Sequence, residues 1–243
     1  MENRNFEYQY DSINVDGSGD ASRKFIANVF MWMFVALGIS AFCAYLFLEE
    51  PTFKYLLVNP VSNGITGIGL GAMILPLAFV MTMNYGANRI AYPILLVLFL
   101  AYSAATGISL SIILTAFTAS SILGVFLTSM VVFGVMAIAG YTTNQDLTKF
   151  GSIMVMLLVG LVAATIINFF LRSEALYYIT SYIGVAVFIG LTAFDVQKLK
   201  RIGAGIEYGD ASTKKTALLG ALTLYLDFVN LFIFMLRIFG GRK

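Results

Sequence analysis

Long uncharged stretches constrain the fold of this chain more than any other feature. Five of them contain no Asp, Glu, Lys or Arg: Phe25–Leu48, Tyr55–Asn88, Ile90–Gln145, Phe150–Leu171 and Ala175–Phe194. A helix that spans a bilayer needs about 20 mainly apolar residues, so each stretch can supply at least one span. The third stretch is long enough for two spans, and Thr216–Leu236 adds another that is apolar except for Asp227.

The sequence therefore predicts an all-α integral membrane bundle of seven spanning helices. Their expected limits are about 25–48, 62–83, 92–114, 120–141, 152–172, 176–200 and 215–238. The composition agrees, because 59% of the residues are hydrophobic and only 12% are charged, against about 25% charged residues in an ordinary soluble domain. This balance excludes a soluble enzyme and makes the lipid bilayer the first expected partner.

Three residue counts exclude further classes of site. The chain has no His, which removes imidazole bases and His-ligated metals. Cys43 is its single cysteine, so neither an internal disulfide nor a cysteine zinc cluster can form. The net charge of +2 is too small to indicate a nucleic-acid partner. We expect a protein without enzymatic activity and without a bound cofactor.

The chain divides into two expected regions: a soluble, flexible tail at 1–24, which carries eight charges, and a transmembrane domain at 25–243. With seven spans, ten Lys and Arg residues fall on the side of the tail and five on the other. The positive-inside rule then puts the N-terminus in the cytoplasm, and a bacterial cytoplasmic membrane is the expected location. A re-entrant last segment would improve this count, but Thr216–Leu236 shows no break, which favours a seventh span.

Two carboxylates, Asp195 and Asp227, lie within the last apolar segments. An ionised Asp at the centre of a membrane helix costs about 2.5–3.5 kcal/mol on the insertion scale, so each should face the bundle interior or water and find a partner. Each is the other's candidate partner. Two close carboxylates share a proton more readily than both ionise, which predicts a pH-dependent gate. Without that proton their oxygens suit Ca²⁺, although weakly, because a Ca²⁺ cage takes about 6–8 oxygens.

Other polar residues near this pair are weaker candidates. Thr192, Thr223 and Asn230 could line the same interior as pore or supporting groups, although single polar residues in membrane helices more often make hydrogen bonds between helices. Arg89 is a candidate counter-charge, or latch, for a carboxylate. Its structural alternative is a loop residue at the membrane interface.

The two acids also have a structural alternative. Asp195 would then reach toward Lys198, which follows it by about one helical turn. Asp227 would bond to Asn230 or Thr223 on its own helix. Neither acid would then sense protons or bind an ion.

Glycines are concentrated in the second predicted helix. Gly67 and Gly71 have the spacing that lets membrane helices approach each other closely, so we expect them at a helix–helix contact.

Four sequence motifs carry a family resemblance: YLDFVNLFIFMLRIFG at 225–240, FDVQKLK at 194–200, ATGISL at 105–110, and LPL at 75–77 in the Gly-rich second helix. Together they resemble the Bax inhibitor-1 family of membrane proteins, from about Phe25 to Gly240. The resemblance implies seven helices with the last one central and surrounded by the other six. It also implies that Asp195 and Asp227 match the family's paired aspartates, which open or close a pore according to protonation. Family members that form channels use a basic residue at the end of helix two as a latch, for which Arg89 stands here beyond the intervening residues 82–88.

The predicted function is a pH-sensitive calcium, or more generally cation, leak channel, in which the Asp195 and Asp227 pair senses protons and contacts the ion. An alternative is a regulatory membrane protein that binds a membrane protease or a cell-death factor through its helices and tail, without transport of its own. A third possibility is a proton-coupled exchanger, for which paired carboxylates are equally suitable.

Overall fold

The computed structural model describes residues 15–62, 64–87, 89–205 and 211–242 of the chain. Within these ranges the chain forms eight helices: α1 (Val15–Glu49), α2 (Pro51–Leu57), α3 (Gly67–Gly86), α4 (Tyr92–Leu114), α5 (Ala119–Thr142), α6 (Thr148–Leu171), α7 (Glu174–Ala204) and α8 (Ala211–Phe239). All except α2 are long and apolar enough to cross a membrane. The prediction of an all-α bundle of seven spanning helices is confirmed.

Local side chains set where several helices begin. The side-chain oxygens of Thr66, Thr118 and Ser173 precede α3, α5 and α7, and each accepts a hydrogen bond from a main-chain N–H of the first turn. Such caps satisfy N–H groups that have no partner within the helix. Pro51 begins α2, a position where its missing N–H costs no helical hydrogen bond.

The first helix begins earlier than the sequence predicts. Residues 1–14 of the expected tail lie outside the described residues, but residues 15–24 already belong to α1. Ser22 is buried there, and its hydroxyl donates to the main-chain oxygen of Lys200 at 3.1 Å. The last ten residues of the expected tail are therefore helical, and the final turn among them packs against α7.

Helix α8 lies at the centre of the bundle. In its most apolar stretch 72% of the residues are buried, against 6% in α6 and 11% in α3. It packs directly against α1, α4, α5 and α7, while α3 packs mainly on α4 and α6 mainly on α7. The expectation of a central last helix is thus correct, but two of the six other spans form an outer layer.

Glycines bring particular helices into close contact. A Cβ atom at Gly140 of α5 would collide with the main-chain carbonyl of Ala193 on α7, and one at Gly107 of α4 would collide with that of Ser40 on α1. The prediction for Gly67 and Gly71 is wrong, because an added Cβ at either would meet no atom of the described residues within 4 Å. Both face outward, since α3 lies in the outer layer of the bundle.

Contacts between helix ends define two ends of the bundle. At one end, which we call the Lys200 end, the start of α1 meets the last turns of α7 through Ser22. At the other, the Arg237 end, the main-chain N–H of Thr118 donates to Gly241, just after α8, at 3.0 Å. Because α8 runs unbroken from the Lys200 end to the Arg237 end, the last segment is a seventh span rather than a re-entrant hairpin.

Candidate functional site

The two intramembrane aspartates meet between α7 and α8. Their carboxyl groups lie close enough to interact with each other. Asp195 is 8% exposed and Asp227 is 4% exposed, so both are removed from the surface of the bundle. At about 1.5 Å per residue, Asp195 lies about 14 Å from the end of α7, and Asp227 lies about 24 Å from the start of α8.

A hydrogen bond between two carboxyl groups needs a proton, because an ionised carboxylate can only accept. One proton between the groups also avoids placing two negative charges side by side in an apolar interior. Oδ2 of Asp227 is buried and has no hydrogen-bond partner among the described residues. A buried polar oxygen without a partner is costly, so this atom is a natural acceptor for water, a proton or a cation.

Apolar residues close to the pair in the sequence are also buried. Val196 on α7 and Leu224 and Leu231 on α8 are fully buried. Within the described ranges no cluster of three or more His, Cys, Asp or Glu residues could hold a metal ion. Two carboxylates fall well short of the oxygen ligands of a tight Ca²⁺ site, so the arrangement suits brief contact with an ion.

The three predicted supporting residues bond within their own helices. The hydroxyl of Thr192 donates to the main-chain oxygen of Phe188 at 2.7 Å, and that of Thr223 donates to the main-chain oxygen of Leu219 at 3.1 Å. The amide of Asn230 donates to Leu226 at 2.8 Å. Neither Thr223 nor Asn230 bonds to the acids, so this part of the structural alternative is not what the structure shows.

The candidate latch lies away from the pair. Arg89 is exposed in the connection between α3 and α4. Among the described residues it forms no ion pair. Lys198, the other cation considered, is exposed near Asp195 but also forms no ion pair with it.

A second buried polar network was not predicted. The hydroxyl of Tyr225 on α8 lies 2.7 Å from that of Ser40 on α1, and Ser40 donates to the main-chain oxygen of Ser103 on α4 at 2.6 Å. The ring of Tyr102 stacks edge-on against Tyr225, with ring centroids 5.4 Å apart. The network joins α1, α4 and α8 on the face of α8 turned away from α7. The sequence signal that could have indicated this network is the presence of polar residues within the predicted spans.

A further unpredicted contact holds the last turns of α7. The Gln197 side chain accepts from the main-chain N–H of Leu147 at 2.9 Å and donates to the main-chain oxygen of Gln145 at 2.7 Å. Arg201, one turn later, also donates to Gln197 at 3.1 Å and forms an ion pair with Asp146 at 2.9 Å. We call this set, which ties α7 to the loop between α5 and α6, the Gln197 contact.

Comparison with known proteins identifies the family. The sequence profile of the family described as "Inhibitor of apoptosis-promoting Bax1" matches residues 22–243. The chain belongs to the Bax inhibitor-1 family. The match covers every spanning helix and both aspartates.

Bacterial relatives extend the match over nearly the whole chain. The inner membrane protein YbhL of Escherichia coli K12 is 44% identical over 220 residues, which cover 90% of this chain and 92% of YbhL. Uncharacterized proteins of Borreliella burgdorferi and Rickettsia prowazekii are 37% and 35% identical over similar lengths, each covering at least 90% of both chains. This member of the Bax inhibitor-1 family is therefore an integral membrane protein, as predicted.

Proposed function

We propose that this protein is a pH-sensitive cation leak channel, with Ca²⁺ as its principal ion, gated by Asp195 and Asp227. The observation that carries the proposal is that two carboxyl groups, both buried, lie next to each other between α7 and α8. Charged residues inside membrane proteins are costly and are retained mainly where they serve transport or proton transfer. The family resemblance of the two motifs supports the same assignment.

The packed arrangement corresponds to the closed form. With one proton the two acids are held together, and α7 and α8 stay in contact. Loss of that proton as the pH rises leaves two adjacent negative charges, which repel each other and weaken this contact. The leak should therefore increase with pH across the range in which the pair loses its proton.

The same deprotonation creates a cation site. The freed carboxylate oxygens, with the unpartnered Oδ2 of Asp227, offer hard oxygen ligands that suit Ca²⁺. Water would complete the coordination. Because only two carboxylates contribute, the site binds the ion weakly enough to release it, as conduction requires.

The test is Ca²⁺ flux into liposomes that contain only the purified protein, measured between pH 5 and pH 8 in about half-unit steps. Asp227→Asn keeps the shape of the side chain and can still donate to Asp195, but it cannot lose a proton in this range. We expect its flux to lose the pH dependence of the wild type. Glu50→Gln is the matched control, since Glu50 is an exposed carboxylate outside the spans, and it should keep the wild-type profile.

Two results would contradict the proposal. One is an Asp227→Asn profile that rises with pH like the wild type, which would dissociate the acids from gating. The other is Ca²⁺ flux by the wild type that requires an opposing proton gradient, because a passive leak does not. The second result would favour the exchanger.

We further propose that the protein lies in the bacterial cytoplasmic membrane with its Lys200 end in the cytoplasm. The excess of Lys and Arg on that side supports this orientation, and YbhL is named as an inner membrane protein. Labelling of a cysteine introduced at Ser121, near the Arg237 end, by an impermeant reagent added outside intact cells tests it. Labelling that occurs only after lysis would indicate the opposite orientation, with the Arg237 end in the cytoplasm.

A further inference from the structure

We propose that a cavity at the Arg237 end binds a phosphate group, presented by an anionic phospholipid. The cavity has a volume of about 480 Å³ and lies where α6 ends, α7 begins and α8 ends. Its lining includes Arg172, Arg237 and Arg242 and a single carboxylate, Glu174. This proposal does not depend on the leak, because the cavity lies at the end of the bundle, whereas the two aspartates lie in the interior of the bundle.

Two of the arginines are held over aromatic rings. The guanidinium of Arg237 lies 5.4 Å from the centre of the Tyr177 ring and 5.1 Å from that of Phe234, and the guanidinium of Arg242 lies 5.4 Å from Tyr177. Stacking on a ring orients a guanidinium. It leaves free the N–H donors, which point outward in the plane of the guanidinium itself. Two positive charges are thus positioned beside one tyrosine.

These charges are not neutralised within the described part of the chain. None of the three arginines forms an ion pair there, although Glu174 borders the same cavity. Three positive charges against one negative charge favour an anion, and guanidinium groups match the oxygens of a phosphate through paired hydrogen bonds.

The backbone fixes where two of these side chains start. Gly240 lets the chain turn after α8, because a Cβ there would collide with Leu236 and Phe117. The next residue then donates from its N–H to the hydroxyl of Ser121 at 3.0 Å, and this bond holds Arg242 against the connection between α4 and α5. Arg172 ends α6 with a φ of 52°, and its N–H donates to the main-chain oxygen of Asn168 at 2.8 Å. The cavity is therefore built by ordered backbone.

The surroundings favour a lipid as the source of the phosphate. The cavity lies level with the ends of spanning helices, which is the depth of the phospholipid headgroups. Phe169, which lines it, and the adjacent Phe170 are each 77% exposed, and Tyr178 is 43% exposed. Exposed aromatic side chains at this depth are typical of the membrane interface, where they contact the lipid just below its headgroup.

The test measures lipid binding to the full-length protein by native mass spectrometry, with phosphatidylglycerol and phosphatidylcholine added separately. We expect preferential binding of phosphatidylglycerol. Arg242→Gln should weaken it about fivefold, and Arg242→Gln combined with Arg237→Gln about 25-fold, because each basic residue near an anionic lipid surface contributes about a factor of five. Lys54→Gln is the matched control, since Lys54 is a cation of the same end that does not line the cavity.

The outcomes separate the possible sources. Equal binding of phosphatidylglycerol and phosphatidylcholine would overturn the lipid site. So would a loss of phosphatidylglycerol binding in Lys54→Gln as large as the loss in Arg242→Gln. Addition of inorganic phosphate to the lipid-free protein distinguishes the other source. If it raises the melting temperature of the wild type but not of Arg242→Gln, and no lipid preference exists, the site binds a soluble phosphate instead. Because Arg242 is exposed after the end of α8, its variant remains informative even if Arg237→Gln fails to fold.

Discussion

Replacing Gln197 by Ala tests how firmly the end of α7 is held. The side chain is only 5% exposed and makes three hydrogen bonds, to the main-chain N–H of Leu147, the main-chain oxygen of Gln145 and the guanidinium of Arg201. Each is worth about 1 kcal/mol net, and the truncation also leaves a small void. The expected loss of stability is about 2–4 kcal/mol.

The loss should appear in two measurements. For a chain of this length, about 2–4 kcal/mol lowers the melting temperature in detergent by roughly 5–10 °C. Hydrogen exchange reads the contact more directly, because the amide of Leu147 loses its acceptor. Its exchange should become about fivefold to tenfold faster, as expected for one lost hydrogen bond.

Gln145→Ala provides the matched control. The Gln145 side chain is exposed, and only its main-chain oxygen takes part in the contact. Its variant should therefore change stability by no more than about 0.5 kcal/mol. If Gln197→Ala melted and exchanged like Gln145→Ala, the assigned role of the buried amide would be refuted.

Two other predictions concern the same part of the bundle. Hydrogen bonds from the side chain and then the backbone of Thr148 are the main cause of the lowering of the pKa of Asp146 to about 2, below its ordinary value of 3.8. Because the pKa of Asp146 is lower in the folded state than in the unfolded state, its ionised form stabilises the fold at any pH above the unfolded-state pKa. This stabilisation is lost as the pH falls through about 2, the pKa in the folded state. The difference in melting temperature between the wild type and Asp146→Asn should thus be present at pH 5 and vanish near pH 2, and a constant difference would contradict this. Gly140→Ala should destabilise the protein by about 1–3 kcal/mol, because the new methyl group collides with Ala193. Gly134→Ala should not, because its methyl group meets none of the described atoms within 4 Å. Melting temperatures of the two variants compare them, and equal values would refute the packing argument.

The sequence predicts the number of spans because the bilayer imposes it. Each crossing needs about 20 apolar residues, and charges are excluded from most of them. Helix α2 was not predicted, although Pro51 marks its start, because a helix of seven residues that includes the charged Lys54 is too short to give a spanning signal. Helix ends shifted by several residues, as at α8, which begins at Ala211 rather than near 215. Those ends depend on caps and loop contacts, which hydropathy does not report.

The rotation of each helix about its own axis was harder to predict. Burial cost identified Asp195 and Asp227 as residues that need an interior partner, and the structure brings them together. The same reasoning could not say that Gly67 faces outward or that Ser40 meets Tyr225, because the packing of neighbouring helices decides which face turns inward. Sequence analysis thus found the two residues that are most costly to bury and missed contacts, such as those of Ser40 and Gln197, that depend on how the helices are rotated.

The proposed gate and the Gln197 contact act on the same helix. Asp195 and Gln197 are two residues apart, or about 200° around α7, so one faces α8 while the other faces the loop between α5 and α6. Repulsion between the acids would push α7 toward that loop, where Gln197 and the close approach of Gly140 resist it. Opening by this route has to weaken the Gln197 contact. Gln197→Ala should therefore raise the Ca²⁺ leak at a given pH relative to Gln145→Ala, and an unchanged leak in a variant of lowered melting temperature would show that α7 does not move in this direction.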